Sequence, residues 1–146
     1  MTTLAHVVFY VRDLDRSVEF YTSAVGLELK GRIFHDQAAI LTGGSTHHEL
    51  LLIEVGDAPG SPHGRRIGLY HTGWKVGDSL AELKEAYRRI VDAGYEIDGM
   101  SDHTVSQSIY LKDPDGNEIE LFVDDPNVDW RNDQSWMKTP VKPLRL

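Results

Sequence analysis

The sequence carries the same unit twice, and that constrains the fold more than any other feature. Residues 4–29 read LAHVVFYVRDLDRSVEFYTSAVGLEL and residues 69–97 read LYHTGWKVGDSLAELKEAYRRIVDAGYEI. Each copy opens on a strand of the pattern His-x-x-aromatic-x-Val: His6, Phe9 and Val11, then His71, Trp74 and Val76. An acidic turn follows in both, then an amphipathic helix, expected over about 15–24 and 78–93, which ends at Gly26 or Gly94 where a left-handed cap is needed. The two histidines stand 65 residues apart, which is the length of the unit.

The later parts of the units also correspond. Apolar runs at about 27–34, 37–42 and 48–55 follow the first helix, and runs at about 95–100, 106–112 and 118–123 follow the second. Asp113-Pro-Asp-Gly116 predicts a tight turn between the last two, because Pro fixes φ and Gly accepts a positive one. Each unit therefore reads βαβββ. The expected organisation is one α+β domain of two modules, at about 4–58 and 66–124, each sheet packing one face on its helix and leaving the other free to line a cleft. A tail over about 125–146 lacks any period and is expected to wrap over the surface. Phe20, Tyr21, Leu83, Tyr87 and Ile90, at helical spacing, are expected in the core.

Composition narrows the chemistry. The chain has no cysteine and seven histidines, so any metal is held by imidazole and carboxylate rather than thiolate. A net charge of −8 argues against nucleic acid, whose binding rests on basic contacts to phosphate. No apolar run approaches the ~18 residues of a membrane span, and Met1-Thr-Thr-Leu4 lacks a basic leader, so a cytoplasmic protein is expected.

Strand alternation assigns faces. Val7, Phe9 and Val11 oppose His6, Val8 and Tyr10, while Thr72, Trp74 and Val76 oppose His71, Gly73 and Lys75. The apolar sets belong against the helices, which puts His6 and His71 on the open, concave side. The repeat also matches Ile53-Glu54-Val55 with Ile119-Glu120-Leu121, 48 residues after His6 and 49 after His71. Two histidines and one carboxylate form the facial set that leaves open positions on non-haem Fe(II). Two histidines and two glutamates instead suit a nearly closed Zn or Ni shell.

The motifs HVVFYVRDLDRSVEFYTSAVGLEL, GLYHTGWKV and YLKDPDGNEIEL together resemble the vicinal oxygen chelate superfamily, over roughly residues 4–123. That superfamily includes glyoxalase I, bleomycin-resistance proteins and extradiol dioxygenases. The resemblance implies two paired βαβββ modules that form a metal-binding cleft, with His6, His71 and Glu120 as ligands of a divalent metal. Within the superfamily, DHTVSQSIYLKDPDGNEIEL is similar to small catechol 2,3-dioxygenase-like members. This implies Fe(II) (or Mn(II)), a small aromatic diol and dioxygen as substrates, His48 as acid/base, and His103 and Tyr110 as partners of the substrate oxygens.

Two alternatives stand beside this reading. A glyoxalase-like enzyme would use His6, Glu54, His71 and Glu120 around Zn or Ni, and a bleomycin-resistance-type protein would sequester a drug without metal. His35 and His63 match nothing in these patterns and are expected at the surface. Trp130, Trp136 and Met137 make the tail apolar enough to cover a cleft or a neighbouring subunit, so a homo-oligomer is expected.

Overall fold

Alternation of apolar and polar residues in short β-branched runs builds two separate sheets, each carrying one helix. The computed structural model describes all 146 residues and divides into two units, residues 1–68 with 113–115, and residues 69–112 with 116–146. The architecture is α+β. No helix is long and apolar enough to cross a membrane.

In the first unit β1 (Val7–Val11), β2 (Glu28–Ile33), β3 (Ala38–Thr42) and β4 (Leu50–Glu54) form a sheet of order β1-β4-β3-β2. The β1–β4 pair is parallel, with Phe9 opposite Leu52 and Val11 opposite Glu54; the other pairs are antiparallel. Val11, Leu50 and Leu52 are buried, while Val8 and Tyr10 are exposed, as the period-2 pattern requires. Leu14, Phe20 and Tyr21 complete this core.

The helix differs from the expected 15–24 stretch. Helix α1 spans Leu14–Phe20 and then widens into a π-helical turn, Tyr21–Val25, before Gly26 closes it at φ 93°. The Thr22 hydroxyl donates to the Val18 carbonyl and the Ser23 hydroxyl to that of Glu19, at 2.8 and 2.6 Å. These hydroxyls compete for the carbonyls of the preceding turn and favour the wider winding.

In the second unit β5 (His71–Gly77), α2 (Leu80–Asp92), β6 (Gly99–Asp102), β7 (Ser106–Lys112) and β8 (Glu118–Asp124) follow in order. The tail is not wholly irregular. After a 3-10 turn at Ser135–Lys138, β9 (Lys142–Pro143) pairs antiparallel with β6, giving the sheet order β5-β8-β7-β6-β9. The run expected at 95–100 becomes β6 only from Gly99. Asp98 is already engaged there, its amide donating to the Tyr110 carbonyl.

A capping box starts α2. The Ser79 hydroxyl accepts from the Glu82 amide, and the Glu82 carboxylate accepts from the Asp78 amide and the Ser79 hydroxyl. Glycine at 77 makes room for it, since a Cβ there would stand 2.6 Å from the Cβ of Glu82. Gly77→Ala is expected to cost about 1–3 kcal/mol of stability through this clash, read as a lowered denaturation midpoint with an unchanged slope.

Asp113-Pro-Asp-Gly116 forms the expected turn between β7 and β8, with Gly116 at φ 85°. Its acidic residues belong to the first unit. The buried Asp113 carboxylate accepts from the Tyr21 hydroxyl at 2.8 Å, and Asp115 accepts from the Arg12 amide. Burial, then the Asp113 charge, push the Tyr21 pKa well up, so its hydroxyl remains the donor.

Candidate metal centre

Parallel pairing of β5 and β8 decides which side chains share a face. His71 stands opposite Glu118, Gly73 opposite Glu120, and Lys75 opposite Phe122. These six residues lie on the face away from the core. Ile119, Leu121 and Val123, fully buried, take the other. A register irregularity falls between Lys75 and Gly77, beyond the site, and leaves the expected facing of His71 intact.

On the open face a chain of polar contacts crosses three strands. His71 Nδ1 lies 2.9 Å from Glu118 Oε2, and His71 Nε2 lies 3.2 Å from Glu120 Oε2. The Tyr110 hydroxyl donates to Glu120 Oε1 at 3.0 Å, and His103 Nε2 meets the Tyr110 oxygen at 2.6 Å. Because Tyr110 has a single proton and gives it to Glu120, His103 must supply the hydrogen of their shared contact. Burial, then the Glu120 charge, push the Tyr110 pKa up to about 12, so this phenol keeps its proton at neutral pH.

His71 and Glu120 are the pair of expected ligands that the structure brings together. His71 stands between two carboxylates, with Nδ1 toward Glu118 and Nε2 toward Glu120, 3.2 Å away. A gap of this size suits either a hydrogen bond from the imidazole or a divalent ion held by both atoms. Two cis ligands, each about 2.1 Å from one ion, are separated by about 3.0 Å, close to the observed gap. An imidazole whose far nitrogen is tied to a carboxylate is also the usual orientation of a metal-binding histidine. No group of three His, Asp or Glu side chains is placed to hold a metal ion together.

His6, the third expected ligand, lies in the first unit just before β1, and its ring is 4.7 Å from that of His48. His47 in turn packs on His48, their Nδ1 atoms 2.5 Å apart. Burial and then the neighbouring His47 and His6 lower the pKa of His48, which leaves it neutral at pH 7 and able to accept a proton. Thus His48 accompanies His6 in one unit, while His71, His103, Tyr110 and Glu120 come together in the other. His35 and His63 are exposed.

Glu54 corrects the repeat as read from sequence. Its carboxylate accepts the Leu14 amide at 2.8 Å, supplementing the Asp13 cap at the start of α1, so it faces the helix. The register explains why. His6 precedes the Val7–Leu50 pair and is level with Glu49, so Glu54 lies five positions further along β4; Glu120 lies two beyond Glu118, the partner of His71. Odd and even offsets point to opposite faces. Glu54→Ala is accordingly expected to lower stability by about 0.5–2 kcal/mol, the usual worth of a cap, with metal content per chain unchanged in elemental analysis.

Two residues with clear roles were not singled out in the sequence. Glu118 orients His71; the signal was Glu118 and Glu120 two apart on one strand, which places both on one face. Glu49 organises the loop that presents His47 and His48, accepting from the amides of Gly43, Ser45 and Thr46 and from the Thr42 and Ser45 hydroxyls. Burial alone would raise its pKa, but the hydrogen bonds from Ser45, Gly43 and Thr42 prevail and bring it down to about 2.

A model of the glyoxalase/bleomycin resistance protein/dioxygenase superfamily matches residues 3–121. Catechol-2,3-dioxygenase of Bacillus subtilis is 35% identical over 133 residues, 91% of this chain and 45% of the relative. Biphenyl-2,3-diol 1,2-dioxygenase 3 of Rhodococcus globerulus is 30% identical over 126 residues, 83% of this chain and 63% of that one. The chain thus spans less than two thirds of either relative. Among solved structures, a glyoxylase/bleomycin resistance protein/dioxygenase domain from Frankia sp. EAN1pec superposes with a TM-score of 0.68 at 22% identity, covering 91% of this chain and 99% of that one.

Proposed function

We propose that this chain, which belongs to the glyoxalase/bleomycin resistance protein/dioxygenase superfamily, is a metal-dependent extradiol dioxygenase that opens the ring of a catechol-type diol. The observation that carries the reading is the close approach of His71 Nε2 to Glu120 Oε2, beside the Tyr110–His103 hydrogen-bonded pair. His71 and Glu120 hold a divalent ion, taken to be Fe(II), with His6 as the third donor expected from the sequence. Such an ion, when bound, supplies Lewis acidity and electron exchange between the diol and dioxygen.

The remaining work falls to the protein. Glu118 fixes the His71 ring and its tautomer. Tyr110 stays protonated and donates, and His103 holds the Tyr110 oxygen so that the phenol points along one direction. Neutral His48 takes a hydroxyl proton from the diol and returns it as the ring opens. Both atoms of dioxygen enter the product, so no outside reductant is needed.

The similarity to two diol dioxygenases at 30–35% identity supports this reading. Engagement of Glu54 by the Leu14 amide weighs against a four-ligand, glyoxalase-like shell. The test is Fe(II)-loaded protein given a catechol with and without oxygen. A yellow ring-opened acid formed only with both iron and oxygen is expected. Oxygen-independent turnover of methylglyoxal plus a thiol, with no ring cleavage, would overturn the proposal.

A further inference from the structure

Gly73 lies in the middle of β5, on the open face, opposite Glu120. Glycine weakens a strand, so it needs a reason. The backbone gives none, since Gly73 is not among the positive-φ glycines and the ladder with β8 runs through it without a shift. Packing gives none either. A Cβ built there would stand 3.4 Å from a Phe122 ring carbon and 3.5 Å from Glu120 Oε2, both ordinary contacts, in contrast to the clash at Gly77. A methyl would fit the protein, and it would occupy the exposed face of β5 between the Phe122 ring and the Glu120 carboxylate.

We propose that Gly73 is a specificity-determining position. Its missing side chain leaves a flat seat on β5, walled by the Phe122 ring, that takes the planar ring of an aromatic diol whose oxygens turn toward His71, Glu120 and Tyr110. This rests on the extradiol reading above and adds where the ring lies. The backbone over Gly73 is exposed and Phe122 is half-buried, so a ring placed there covers apolar surface on one edge and peptide on its face. The seat admits flat rings and excludes substituents that rise out of the plane next to Glu120.

The test is an anaerobic spectral titration of Fe(II)-loaded protein with 4-nitrocatechol, comparing wild type with Gly73→Ala and Gly73→Val. The Kd is expected to rise about 10-fold for alanine and further for valine, as overpacking of a fitted contact predicts. Iron content should stay equal to wild type and thermal stability should be equal or higher, because either side chain removes the entropic cost of a glycine within a strand. An unchanged Kd in both variants overturns the seat while leaving the extradiol reading in place, and loss of iron from Gly73→Ala also overturns it by assigning the position to the metal. If the iron-loaded wild type itself produces no nitrocatechol spectrum, the extradiol reading fails and this inference falls with it.

Discussion

Glu120→Ala is expected to abolish ring cleavage and to lower bound metal to a small fraction of the wild-type value. The reasoning starts from the 3.2 Å separation of Glu120 Oε2 and His71 Nε2. Removing the carboxylate deletes a charged donor and also frees the Tyr110 hydroxyl that it holds through Oε1. Loss of a residue that merely orients a ligand costs about 10–100-fold in metal affinity, and loss of the ligand itself should exceed that. His71→Ala should behave alike. Glu118→Gln should fall in the 10–100-fold range, since the amide weakens the hold on His71 Nδ1 and keeps the shape. Elemental analysis of protein purified without added metal, with Glu54→Ala as the control that retains it, separates these cases. Equal metal in wild type and Glu120→Ala would remove the site.

Tyr110→Phe carries the second large effect. The phenol is the donor nearest the carboxylate and is kept protonated by burial and by the Glu120 charge, with its pKa pushed up to about 12. A positioned hydrogen-bond donor of this kind contributes about 10²–10³-fold to rate. We therefore expect kcat for a catechol to fall in that range in protein saturated with Fe(II), with metal affinity lowered by no more than roughly the 10–100-fold of a ligand-orienting residue. Deleting an hydroxyl from a half-buried tyrosine has a small effect on folding, so the thermal midpoint should move little. His103→Gln, which retains a donor toward the Tyr110 oxygen, should lose less than Tyr110→Phe. Unchanged kcat in Tyr110→Phe would show that the Tyr110–His103 contact is structural.

The repeat made much of this legible before any coordinates. Strand alternation placed His71 on the face away from its helix, because the helix-facing set Thr72/Trp74/Val76 was already apolar. What misled was parity. Matching Ile-Glu-Val with Ile-Glu-Leu by identity ignored that the two strands start their ladders at different residues. Glu54 therefore turned to cap α1, while Glu120 turned to His71. The π-helical turn at Tyr21–Val25 depends on two hydroxyls bonding backwards to Val18 and Glu19, a local competition that apolar spacing does not register. Strand β9 is two residues long and includes Pro143, so no period could announce it; it forms because the edge of β6 offers unpaired backbone groups.

The central claim is that His71 and Glu120 share one divalent ion. Anomalous diffraction from crystals grown anaerobically with Fe(II) tests it directly. The account predicts one iron peak within about 2.0–2.3 Å of both His71 Nε2 and Glu120 Oε2, the range of metal bonds to nitrogen and carboxylate oxygen, with Glu118 still on Nδ1 and Glu54 still on the Leu14 amide. Iron bound elsewhere, or bound with Glu54 among its ligands, would contradict it.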